Sequence, residues 1–138
     1  MKKIPEDIAP ILDEIDNLWI VKASESLNAA KMLLDSGYPG FAVERAFFSI
    51  YYLASDLLGV KERAFTNHIA TIATFRRKFG SRVDLARFVE YLADAEKARA
   101  VVEARRGRDV TIDEASFHIR RAEEFLKFAE ERLMGDLE

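Results

Sequence analysis

The chain has 138 residues, a formal charge of −3, 49% hydrophobic and 33% charged residues, and no cysteine. That length suits one domain around one core, and the composition excludes a disordered or membrane-embedded chain. The missing cysteines exclude disulfides, a thiol nucleophile and thiolate metal ligation, and the slightly acidic balance counts against a general nucleic-acid binder that works through overall cationic excess.

The first residues, Met1 to Asp7, lack the apolar stretch of a signal peptide, so a cytoplasmic location is expected. Pro5 followed by Glu6 and Asp7 reads as a helix start, interrupted near Pro10, which predicts a short helix over 5–16. Ile20, Ala23, Leu27, Ala30 and Leu34 then form one apolar stripe and predict a helix over 18–36. Gly37 is the expected left-handed cap, with Tyr38-Pro39-Gly40 as the turn.

A second helix over 41–58 is apolar nearly all round, from Phe41 and Val43 through Phe47, Phe48, Tyr51 and Tyr52 to Leu58. Such a helix is either the centre of a bundle or partly covered by a second copy of the chain. Its charges at Glu44, Arg45 and Asp56 exclude a membrane span. Gly59 ends it, and Thr66 or Asn67 can cap a third helix running to Phe79. Gly80-Ser81 separates a fourth helix over 82–105, and Gly107 breaks the chain again. Thr111 and Glu114 form a capping box for a last helix over 112–133. The expected fold is all-α: an antiparallel up-down bundle of about five helices, a four-helix core plus the short N-terminal helix, in a single domain over 1–138.

Little in this pattern supports a metal or a cofactor. His68 and His118 are fifty residues apart, neither has a carboxylate three or four residues after it, and no Gly-rich phosphate loop or serine elbow exists. Three basic clusters stand out: Arg76-Arg77-Lys78, Arg120-Arg121, and Arg105, Arg106 and Arg108 around Gly107. Each can be a solvated helix end or face, and the last can also be an anion-attracting edge. Arg99 shares the inward stripe of Leu85, Phe88, Leu92, Ala95 and Val102, with Glu96 and Glu103 one turn to either side. It is either a helical ion pair at the margin of that stripe or a cleft arginine aimed at phosphate.

From Val21 to Leu133 the chain resembles the small stand-alone branch of the HEPN family. Lys22 to Ala30, Leu33-Leu34 and Gly37-Tyr38 are similar to that branch's first helix and turn. Arg45-Ala46-Phe47-Phe48 resembles its arginine–alanine–aromatic–aromatic second helix, His68 with Ile69 and Phe75 its third-helix start, and Ala115 with Ala122 to Leu126 its closing helix. The resemblance implies a bundle that pairs as a homodimer with a polar cleft near the dimer axis. It also implies an association with RNA cleavage, often as toxins, or with a small nucleotidyltransferase partner. Active ribonuclease members carry an arginine followed four to six residues later by histidine, late in the bundle; the small branch often shows an arginine and then alanine–aspartate–tyrosine. Arg99 matches that arginine and Glu103 that acid, but neither histidine nor tyrosine follows. Arg63 and His68 have the literal spacing in the wrong part of the bundle.

His118 is a candidate to stand in for the missing histidine, the alternative being a packed or edge residue. It lies ten residues after Arg108 and Arg99 nine before it, so an antiparallel pair turning there sets the two at one level. The candidate catalytic set is therefore Arg99, Glu103 and His118, and the candidate RNA-contacting set is Arg99, Arg105, Arg106, Arg108 and His68. Three functions compete: a dimeric RNA- or nucleotide-associated binding module beside a nucleotidyltransferase-like partner, in a toxin–antitoxin-like context; a metal-independent endoribonuclease; and a structural helical adaptor.

Overall fold

The computed structural model describes residues 18–59, 68–105 and 110–137, with the side chains of residues 105, 136 and 137 outside the description. Five helices run in chain order: α1 (Leu18–Asp35), α2 (Pro39–Leu57), α3 (His68–Phe79), α4 (Ala86–Arg105) and α5 (Ile112–Leu137). The expected helix over 5–16 and the caps at Thr66 or Asn67 lie outside the described residues. The fold is all-α, and no described helix is long and apolar enough to cross a membrane.

α2 is the centre, packing against each of the other four helices. Twelve of its nineteen residues are buried within this one chain, so the bundle itself accounts for most of its all-round apolarity. Small residues let α1 approach it closely: Ala23, Ala30, Ala42 and Ala46 have no exposed surface. At that contact the Ser49 hydroxyl donates to the Ala23 carbonyl at 2.8 Å, which satisfies a polar group that burial would otherwise penalise. The same core continues among α3, α4 and α5, where Phe88 stacks on Phe125 at 4.2 Å with Phe75 alongside.

The helix ends follow local chemistry. Gly37 and Gly59 both adopt positive φ, 88° and 68°, the left-handed region that glycine enters without strain. Thr111 Oγ1 accepts from the Glu114 amide at 3.0 Å while Glu114 accepts from the Thr111 amide at 3.2 Å, so the predicted capping box is complete. Three boundaries differ from expectation. α2 begins at Pro39, because proline fits the first helical position. α4 begins at Ala86 rather than at Arg82. The Arg82 guanidinium grips Asp84 with two bonds, 3.2 and 2.9 Å, and the chain runs through turns before the helix. α5 continues past Leu133 to Leu137, since no proline or cap stops it and Gly135 weakens a helix without ending it.

Candidate functional site

Arg99 sits on the α2-facing side of α4, its guanidinium 5.3 Å from the centre of the buried Phe47 ring. Glu96 accepts from its Nε and Nη2, both at 3.0 Å, and Glu103 accepts from Nη1 at 2.9 Å. The Arg99 side chain is 18% exposed and that of Glu103 69%, so the Glu96 fork is the sheltered half of the cluster. The Arg99 proton is held more firmly than usual, chiefly by the hydrogen bond to Glu96, against the opposing cost of burial.

His68 opens α3 and meets three rings edge-on: Phe47 and Phe48 at 5.4 Å and Tyr51 at 5.0 Å. Arg99 and His68 therefore touch the same Phe47 ring from α4 and α3. His118 lies elsewhere. It is buried on α5 and lines a cavity of about 280 Å³ with Val43, Ala98, Val102 and Val110, apolar but for Glu114. Its pKa is lowered, first by burial and then by Arg121, against the smaller pull of Asp94 and Glu114. No hydrogen bond joins Arg99 to either histidine among the described residues, and the cavity draws on Ala98 and Val102 of α4 rather than on Arg99. Arg106, Arg108 and the Arg105 side chain lie outside the description. Arg76, Arg77 and Lys78 are exposed at the end of α3, and Arg121 pairs with Asp94 at 2.8 Å between the Tyr91 and Phe117 rings. No group of three or more potential metal ligands occurs among the described residues.

The stripe where α1 runs antiparallel to α2 is absent from the site residues expected from the sequence, save for Arg45 and its neighbours as a family pattern. Ser26 meets Arg45, whose Nη2 donates to the serine hydroxyl at 3.1 Å. One turn along, Arg45 lies 4.9 Å from the Phe48 ring centre. Two turns along, Trp19 stacks on Tyr52 at 5.7 Å, with the Lys22 ammonium 5.2 and 5.9 Å from the two rings. The signal was present: residues 19, 22 and 26, and residues 45, 48 and 52, each fall on one helical stripe.

The sequence pattern of the HEPN domain matches residues 17–133. The chain belongs to the HEPN family. A UPF0332 protein of Thermotoga maritima is 30% identical over 131 residues, covering 91% of this chain and 95% of that protein. A Methanocaldococcus jannaschii protein that carries the name "Putative toxin" is 28% identical over 124 residues, covering 88% of this chain and 83% of that one. No solved structure gives a significant match. HEPN membership and a relative with that name fit a toxin–antitoxin-like or ribonuclease-type role.

Proposed function

We propose that this protein is a single-domain HEPN module that pairs as a homodimer in the cytoplasm and associates with RNA or a nucleotide. In this reading it acts beside a partner such as a small nucleotidyltransferase, in a toxin–antitoxin-like setting. The observation that carries it is the state of Arg99. A catalytic arginine needs donors aimed at the charge that develops on phosphate. Here Glu96 takes two of its donors and Glu103 a third, so one cation sits between two anions. A phosphate entering there meets net negative charge and has to displace a carboxylate. In this reading neither histidine supplies the missing proton transfer, since His118 is sheltered in its cavity and His68 is packed against three rings. The toxin-like setting is supported by the name of the M. jannaschii relative. Pairing is supported by exposed apolar side chains, Tyr38 and Phe41 on one turn and Val101, Ile112 and Phe117 near α5.

The test is metal-free RNA cleavage by the wild type beside Arg99→Ala, with the solution mass measured by light scattering. The expected results are no cleavage and a mass twice that of the 15.7 kDa chain. A monomer at all accessible concentrations removes the dimer. One observation favours an endoribonuclease instead: Arg99 and His68 contact the same Phe47 ring. Cleavage by wild type that is lost in both Arg99→Ala and His68→Ala establishes that reading and ends ours.

A further inference from the structure

Three arginines of the described residues have half-buried side chains: Arg45, Arg99 and Arg121. Arg99 is held by Glu96 and Glu103, and Arg121 by Asp94. Arg45 has no carboxylate within ion-pair distance among the described residues, although Glu44 precedes it and Glu25 lies next to its partner Ser26. Among the described residues its hydrogen bond goes to a neutral hydroxyl, and its Nε is buried with no hydrogen-bond partner. Withdrawing a guanidinium from water without an opposite charge is costly, and an unmatched buried donor adds to that cost. The contact over the Phe48 ring returns part of that cost but supplies no counter-charge. The arrangement makes sense when an external anion takes the part of the guanidinium that solvent reaches, since the buried Nε lies out of a ligand's reach.

The neighbouring groups indicate which anion. From Arg45 the stripe runs over Phe48 to the Trp19–Tyr52 stack and its Lys22 ammonium. Seven residues of helix separate Ser26 from Trp19 and Arg45 from Tyr52, so the two ends lie about 10 Å apart at 1.5 Å per residue. A cation at one end and half-buried aromatic rings at the other form the pairing that binds a phosphate and its base, by charge-assisted hydrogen bonds and by stacking. An inorganic anion has no use for the aromatic end, and an apolar ligand none for Arg45.

We infer that the α1–α2 stripe is a nucleotide-binding site, with Arg45 holding a phosphate and the Trp19–Tyr52 pair receiving the base. The site rests on the RNA- or nucleotide-associated reading of the protein and gives it a location apart from Arg99. A free nucleotide and one unit of a single-stranded RNA present the same chemistry to it.

Trp19 is the only tryptophan of the chain, so its fluorescence reports on this site directly. The experiment titrates the full chain with adenosine monophosphate, a short single-stranded oligoadenylate and inorganic phosphate, using wild type, Arg45→Gln and Arg45→Lys. The oligoadenylate is expected to quench Trp19, and inorganic phosphate to compete without quenching. Arg45→Gln is expected to weaken binding by about tenfold or more, the loss typical of a charge-assisted hydrogen bond. Arg45→Lys falls between the two, because an ammonium keeps the charge and loses the fork. Equal binding of adenosine monophosphate and oligoadenylate identifies a free-nucleotide site, and binding of the oligomer alone identifies a strand site. Circular dichroism checks each fold, and Arg45→Lys decides the matter if Arg45→Gln does not fold. Wild-type binding that neither variant weakens overturns the site while leaving RNA association intact. Absence of binding by wild type removes the association and the site together.

Discussion

Arg99→Ala separates a fold-stabilising arginine from a catalytic one, and the structure sets the size of the effect. The substitution removes the fork on Glu96, the single bond to Glu103 and the contact over Phe47. Hydrogen bonds to charged groups contribute about 1.5–3 kcal/mol when sheltered. With side chains 18% and 21% exposed, the Arg99–Glu96 fork belongs at the lower end of that range. Glu103 is 69% exposed, so its pairing is a surface contribution of about 0.3–0.5 kcal/mol. Arg99 over Phe47 adds about 0.5–1 kcal/mol. The expected destabilisation is therefore about 2–3 kcal/mol. At the usual unfolding entropy per residue, that lowers the Tm by about 7–10 °C. Urea unfolding of Arg99→Ala, Glu96→Ala, Glu103→Ala and the two double variants resolves the parts. The coupling of Arg99 to Glu96 should exceed its coupling to Glu103 by at least about 1 kcal/mol. Equal couplings, or a loss below about 0.5 kcal/mol in Arg99→Ala, would refute the account of Arg99 as a charge held by its own helix.

Two further outcomes test other parts of the structure. His118 has a folded pKa lowered from 6.5 by burial, so between the two values the unfolded chain binds the extra proton. Its contribution is therefore intact above 6.5 and is lost progressively as pH falls towards the folded value; the drop in urea midpoint over that window should shrink in His118→Gln. At the start of α5, Thr111→Ala removes the hydroxyl that accepts from the Glu114 amide and should cost about 1 kcal/mol, seen as a Tm lower by about 3–4 °C.

Helices were legible where apolar spacing and a terminator coincided. The stripe from Ile20 to Leu34 ended at Gly37, and the capping box at Thr111 and Glu114 formed with both of its bonds. The start of α4 was not legible, because Val83 and Leu85 continue a helical-looking pattern while the Arg82–Asp84 fork, a side-chain contact two residues apart, holds the chain in a turn. The half-buried place of Arg99 and the burial of His118 were also readable from their stripes, as was the pairing of Arg99 with Glu96 and Glu103. What each faces across the bundle was not, since that depends on how helices rotate against one another. Phe47 brings Arg99 and His68 onto one ring from residues 31 positions apart, and no local spacing encodes that.

The family pattern directs attention to Arg99, and the electrostatics direct it to Arg45. Both are half-buried arginines resting on phenylalanine rings of α2, so hydrophobic packing does not tell them apart. Counter-charge does. Two carboxylates within 3.0 Å hold the Arg99 donors, whereas Arg45 has a serine hydroxyl and no carboxylate within ion-pair distance among the described residues. Phosphate recognition needs a cation whose donors are still available, because an anion already in place has to leave before another can bind. Replacing Glu96 and Glu103 with glutamine frees Arg99 of negative charge while preserving side-chain volume. If Arg99 is the phosphate-binding group, that double variant gains affinity for single-stranded RNA by about tenfold or more, the scale of a charge-assisted hydrogen bond. If Arg45 is, affinity changes little, and the urea midpoint falls as the Arg99 cluster loses its partners.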